Sequence, residues 1–305
     1  MLHISVTPQE IFNLSPYHYI PTEWVCITFL VLFSLATAAY FATALWYRLW
    51  WLLPTAVLAG TGEIIGWSSR LWSSLNFLNN NAFVAQISCT IIAPTPFLAA
   101  IFILFSALSS RLGPNYGRLT PRWYSWIFLT CDIIALAIQG TGGGIASSSN
   151  VNSTEILGSH IMLAGIIFQL IALSIFMCLA AEYFYRFLTD RPYRSVPNND
   201  SVATLYSRRQ WTTKLKLFSA AMGFSTLTLF IRAIYRVIEL ADGWNGRVIA
   251  TQVYFNVLDG AMVVLAMYSL AVFNPGYFLY SAQPAGDETD ETDKEADKSP
   301  TIPVY

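Results

Sequence analysis

The feature that most limits the folds open to this chain is a series of long apolar runs, at residues 24–47, 52–69, 82–108, 123–145, 157–183, 215–240 and 248–273. A helix needs roughly 20 mostly apolar residues to cross the hydrocarbon layer of a bilayer. Lipid offers no partner to an exposed backbone N–H or C=O, so each run must satisfy its own backbone as a helix. The fold expected is therefore an all-α membrane protein, a bundle of seven transmembrane helices. The second run is the shortest and the sixth the most polar. Only 11% of the 305 residues are charged, against about 25% in soluble domains, which is what exclusion of charge from long segments produces. The net charge of -1 offers nothing to attract nucleic acid.

The remaining charges set the orientation. One set of connections holds Arg48, Arg111, Arg118, Arg122, Arg186, Arg191, Arg194, Arg208, Arg209, Lys214 and Lys216, and the tail adds Lys294 and Lys298. The other set holds only Arg70 and Arg247. Basic residues stay on the cytoplasmic side, so the N-terminus is expected outside and the C-terminus in the cytoplasm. Three parts follow: an extracellular segment 1–23, a seven-helix domain 24–280, and an acidic tail 281–305 too polar to bury a core and hence disordered. The stretch 187–210 is expected as a polar cytoplasmic loop. Residues 1–23 lack the basic start and short apolar core of a signal peptide. The glycosylation triplets at Asn13 and Asn152 fall on the expected outer side. Trp24, Trp46, Trp50, Trp51, Trp67, Trp72, Trp123, Trp126, Trp211 and Trp244 stand at or near run ends, where indole rings favour the headgroup level. Cys26, Cys89, Cys131 and Cys178 all lie within apolar runs, so no disulfide framework is expected.

Charge inside the runs is what suggests function. A charged residue at the centre of a membrane helix costs about 2.5–3.5 kcal/mol on insertion scales. The second run nevertheless carries Glu63 and Arg70, the fourth Asp132 and Gln139, the sixth Ser225, Thr228, Arg232, Arg236 and Glu239, and the seventh Gln252, Asn256 and Asp259. Spacings of three, four and seven place each set on one helical face. Four such faces define a polar bundle interior, with two open readings: ion pairs that fix helix register, or a pathway for a ligand or substrate. The carboxylates Glu63, Asp132, Glu239 and Asp259 outnumber Arg232 and Arg236. A surplus carboxylate can receive a cationic headgroup or a proton. A short connection around Asp242–Gly246 makes the last two spans antiparallel neighbours, with Arg232 and Asp259 expected as an ion pair about 4–5 Å apart in level. Gly62 and Gly66, and Gly140 and Gly144, form two GxxxG patterns that predict close helix packing. Pro94 and Pro96 predict a break in the third span, with carbonyls freed for other partners.

Other classes lose support. His3, His18 and His160 are too scattered to build a zinc site, and no nucleotide-binding loop is present; no metal, cofactor or enzymatic activity is expected. Lys214, Lys216, Lys294 and Lys298 are not placed for a retinal Schiff base. Asn274-Pro275-Gly276-Tyr277 is one residue short of the receptor Asn-Pro-x-x-Tyr pattern. Ser109-Ser110-Arg111 has no acidic residue before the Arg. A sensor that binds lipid and signals stays open as the alternative. No internal repeat points to the paired architecture of many transporters.

The ordered set Glu63-x-x-Gly66-Trp67-x-x-Arg70, Ala93-Pro94, Asp132 with Gln139 and Gly142-Gly143-Gly144, Arg232-x-x-Tyr235-Arg236-x-x-Glu239, Asp259 and Pro275-Gly276 resembles the fungal lipid-translocating exporter family. That family includes sphingoid long-chain base exporters and proteins of aminocholesterol and other toxicant resistance. The resemblance covers roughly residues 24–280, with Trp67 in place of an expected Tyr and Asn274 in place of the usual His. It implies an integral plasma-membrane protein acting on membrane lipids or amphiphilic small molecules; it implies no transport mechanism and no oligomeric state.

Overall fold

The structure is a computed structural model that describes residue 17 and residues 19–76, 80–148, 152–193, 212–243 and 246–280. Among them there is no strand. The sequons' Asn13 and the Asn152 side chain, the tail beyond residue 280, most of the loop 187–210, Trp211 and Trp244 lie outside the described residues.

The apolar runs fold as long helices. Helix α1 spans Glu23–Trp46. The chain reverses at Arg48, in the left-handed region at φ 53°, and passes through a 3-10 turn Trp50–Leu52 and a π-helical turn Leu53–Val57 into α2, Leu58–Leu75. Helices α3, Asn80–Ile92, and α4, Pro94–Leu112, follow. Then come α5, Pro121–Ser148, α6, Asn152–Leu188, and α7, Thr213–Asp242. A single turn Gln252–Tyr254 and a π-helical stretch Phe255–Ala261 lead into α8, Met262–Val272, and a last short helix α9, Pro275–Tyr280.

Six stretches are long and apolar enough to cross a membrane: Glu23–Trp46, Asn81–Leu112, Pro121–Ser147, Ile156–Leu188, Thr213–Asp242 and Gln252–Tyr277. The run that falls short is α2, whose 18 residues include Glu63, Arg70, Ser68, Ser69, Ser73 and Ser74. Its polar side is turned inward, with Glu63, Arg70, Ser73 and Ser74 all buried. Its polar content, not its length of 18 residues, therefore sets it apart from the other six.

The central post is α3–α4. Within its apolar window 72% of residues are buried inside the protein, against 28% for α5 and 33% for α1 and α6, so the latter three turn most of their apolar side chains outward. The prolines explain the break at Ala93. Pro94 has no N–H to give the carbonyl four residues back, which is that of Thr90. Ala93 N–H still reaches the Cys89 carbonyl at 2.8 Å, so the helix is regular up to the break.

Two packing regions flank this post. Toward the start of α5, Phe105 meets Tyr124, Phe176 and Tyr183 edge-on at 5.0, 5.4 and 5.6 Å, and Phe102 meets Phe128 and Phe176. The Tyr183 hydroxyl lies 3.2 Å from both the Ser109 and the Gly113 carbonyls, where it can donate to the open C-terminal end of α4. Toward the start of α1 the interior turns polar, and the candidate site lies there.

The structure corrects two expectations. Trp67 is not at an interface: it is fully buried and stacks on Phe29 at 4.2 Å, whereas Trp24, Trp46, Trp50, Trp72, Trp123 and Trp126 are exposed. Gly260 makes room for it, since a Cβ there would stand 2.6 Å from the indole. The second correction concerns Gly140 and Gly144, which face open space. The close approach of α5 and α6 is made instead by Gly142 against Gly158, where added Cβ atoms would come within 2.5–2.7 Å of backbone atoms, and by Gly165 against Gln139. A Cβ at Gly62 or Gly66 would come within 2.8 or 2.7 Å of the Ala93 and Thr90 side chains, so the bare glycines bring α2 onto the broken post.

Candidate functional site

The polar stripe of α7 buries Ser225, Thr228, Arg232, Tyr235, Arg236 and Glu239. Across from it, the π-helical stretch buries Phe255 and Asp259. One widened turn re-aims the residues that follow it and is a frequent feature of functional sites.

Arg236 is the centre of the arrangement. Its Nε and Nη2 donate to the two Asp259 carboxylate oxygens at 2.9 and 2.7 Å, a bidentate pair. Its Nη1 donates to Glu239 at 2.7 Å, and Nη2 also donates to the Thr90 hydroxyl at 2.8 Å. The Tyr235 hydroxyl donates to the other Glu239 oxygen at 2.9 Å. Arg232 approaches Asp259 as well, its Nε 2.9 Å from Oδ1, without the alignment of a hydrogen bond. The Arg232 Nη2 donates to the Thr90 carbonyl. That carbonyl is the one Pro94 leaves without its helical donor, so the proline break supplies an acceptor to the charge layer. Thr90 thus serves both arginines, one through each oxygen. Buried charges survive only when paired and hydrogen-bonded, and Arg236 meets that condition fully.

Glu63 does not. It is fully buried, and neither carboxylate oxygen has a hydrogen-bond partner. Asp259, Arg232 and Arg236 act on it electrostatically, but both guanidinium groups are engaged with Asp259. The buried indole N–H of Trp67, one turn on, is close enough to act on the Glu63 carboxylate, but without the alignment of a hydrogen bond.

Arg70, on the same face of α2, is not in this layer. No carboxylate pairs with it among the described residues; its Nη2 donates to the Tyr19 hydroxyl at 2.7 Å. Its guanidinium carbon lies 4.3 Å from the Phe255 ring centre, 5.3 Å from Tyr17, 5.6 Å from Tyr19 and 5.8 Å from Trp67. The aromatic faces carry the negative charge density that a carboxylate would otherwise supply. Tyr17 and Tyr19 precede α1 and lie over this end of the bundle: Tyr17 is buried, meets Phe83 edge-on at 4.8 Å, and donates to Ser73 at 3.2 Å. Burial pushes its phenol up to about 12, with Arg70 acting against the rise, so it remains a hydrogen-bond donor.

Gln139 and Asp132 stand apart. Gln139 donates to Gln169 at 2.9 Å, and Gln169 to Thr95 at 3.1 Å. A cavity of about 20 Å³ separates this amide chain from Arg232 and Arg236, enough for a single water. Asp132 is buried with one oxygen unpartnered. Thr90, Gln169, Tyr19 and Phe255 were not visible as site residues in the sequence. Only Thr90 had a signal, its place four residues before a proline. No cluster of three or more His, Cys, Asp or Glu able to hold a metal occurs among the described residues.

The family model described as "RTA1 like protein" matches residues 56–282. The sphingoid long-chain base transporter RSB1 of Saccharomyces cerevisiae (strain Lalvin EC1118) is 28% identical over 271 residues, which cover 82% of this chain and 71% of the relative. Protein RTM1 of Saccharomyces cerevisiae is 25% identical over 206 residues, covering 67% and 61%. Protein RTA1 of the same species is 24% identical over 213 residues, covering 69% and 62%. No solved structure matches.

Proposed function

The chain belongs to the RTA1-like protein family, and from that membership we propose that it moves or releases amphiphilic lipids, with sphingoid long-chain bases as the substrate class. The reading includes α2 as a seventh span beside the six apolar ones, an outer N-terminus, a cytoplasmic C-terminus, residence in the plasma membrane, and resistance to toxic amphiphiles as the result. Similarity to a sphingoid long-chain base transporter supports it.

The observation that carries it is the unpaired Glu63 carboxylate inside the charge layer. A sphingoid base is an ammonium headgroup on a long apolar tail. Such a tail is at home among lipid-facing helices, while the headgroup needs an anion where water is absent. Glu63, Glu239 and Asp259 exceed Arg232 and Arg236 by one charge, and Glu63 is the carboxylate that no guanidinium has taken. The layer performs no bond chemistry: its groups pair, exchange partners and hold charge.

The test is efflux of a labelled sphingoid base from cells that overexpress the protein at the surface. Release rises, and resistance to the base with it. Unchanged release and sensitivity would sink the transport reading. A second reading, a sensor that binds lipid and signals, draws on the dense pairing of Arg232, Arg236, Glu239 and Asp259, which ties α7 to the last span. A lipid-dependent transcriptional response with unaltered flux would select it.

A further inference from the structure

Resting on that reading, we propose that Glu63 is a single-cation exchange site: its carboxylate holds either a proton or the ammonium of a long-chain base, so that binding the base releases one proton.

Glu63 has no exposed surface and no aligned hydrogen bond; the one side-chain N–H acting on it besides the two guanidinium groups is the neutral indole of Trp67. An ionised carboxylate left alone in such a place is costly enough that it acquires a positive partner or loses its charge. The partners at hand are already used. Asp259 draws both Arg232 and Arg236 to within 2.9 Å, and Arg236 is further tied to Glu239 and Thr90.

The other surroundings of Glu63 bring no cation. From the π-helical stretch before α8 the group acting on it is the like-charged Asp259. From α3 it is the Cys89 thiol. From α1, Thr37 lies against Gly60, while Phe29 and Phe33 lie beside Trp67; none of these is titratable. On α2 itself Arg70 is held by four rings, one of them Tyr19, whose hydroxyl also accepts from it. The site thus lacks one positive charge, and two species can supply it. A proton gives a neutral acid. An ammonium gives an ion pair. Both at once would leave the ammonium against a neutral acid, with its charge unmatched.

The exchange balances. The acid's O–H bond breaks, its proton leaves to water, and the carboxylate pairs with an ammonium that keeps its own three protons. No oxidant, reductant or nucleotide enters. A long-chain base then leaves when a proton returns, which makes a proton gradient able to drive release.

The experiment titrates the purified full chain in nanodiscs with a sphingoid base at about pH 6 in weak buffer, where a primary amine with an ordinary value near 10.4 keeps its proton. Binding and proton release are read together. Wild type is expected to release close to one proton per bound base, and an N-acylated, uncharged analogue none. Glu63→Gln keeps the shape of the side chain; it should abolish the release and weaken base binding at least ten-fold. Base binding with no proton released, or equal release with the acylated analogue, would overturn the exchange while leaving the lipid-transport reading in place. Folded protein that binds no base at all would overturn both. The wild-type comparison of charged and acylated probes decides the matter even if the Gln variant does not fold.

Discussion

At the level of Arg236 the bundle is filled by two guanidinium groups and three carboxylates, whereas at the level of Phe105 it is filled by the rings of Phe102, Tyr124, Phe128, Phe176 and Tyr183. Both regions are buried and both join α4 or its continuation α3 to later helices. Their energetics differ in kind. Membrane helices gain little from hiding apolar surface, because lipid tails are as apolar as the core. The aromatic end is held by ring contact, and each ring contributes a graded amount. The charged end is held by mutual satisfaction: Asp259 stabilises Arg236 only while both are present. The comparison teaches that one end tolerates loss in steps and the other does not.

The largest effect should follow removal of Asp259. Asp259→Asn leaves Arg232 without its carboxylate and Arg236 with Glu239 alone, and breaking a buried pair typically costs about 3–5 kcal/mol. Arg236→Gln should lose a similar amount. The double variant should recover part of the loss in detergent thermal unfolding, with stronger coupling to Asp259 for Arg236 than for Arg232, because only Arg236 is bidentate. Simply additive losses would erase the distinction between the two ends.

A smaller loss is expected at the aromatic end. Phe105→Ala leaves a void of about 100 Å³, which at ~24 cal/mol per Å³ of cavity corresponds to about 2–3 kcal/mol. Phe105→Leu should lose less, and truncating Phe176 as well should give no recovery in the same unfolding assay. Recovery there would mean that the rings behave as a coupled network like the charges.

The smallest contrast lies between neighbouring glycines of α5. Gly142→Ala drives a methyl into the Met162 and Gly158 backbone and should destabilise by about 1–2 kcal/mol, as overpacking does. Gly140→Ala meets open space and should be neutral or stabilise by up to about 1 kcal/mol through the lower backbone entropy lost on folding. Equal midpoints for the two variants would contradict the close approach of α5 and α6.

The helices were legible in the residues alone, because the apolar length and period that make a membrane helix are local properties. So was the meeting of Arg232 with Asp259, since the short connection between their helices leaves few ways to place them, and so was the break before Pro94, which follows from one missing N–H. Packing was needed to show that Arg236 takes both oxygens of Asp259, that Thr90 serves both arginines, that Arg70 sits among rings, and that Gly142 rather than Gly140 faces α6. The physical reason is that sequence sets which residues share a helical face but not how far the helix is turned about its axis. That rotation is fixed by neighbours, and by devices such as the π-helical stretch at Phe255–Ala261, which shifts every later residue relative to its partners. Trp67 shows the same rule: its place near the end of an apolar run was legible, but its inward direction depended on the missing side chain of Gly260, nearly two hundred residues away.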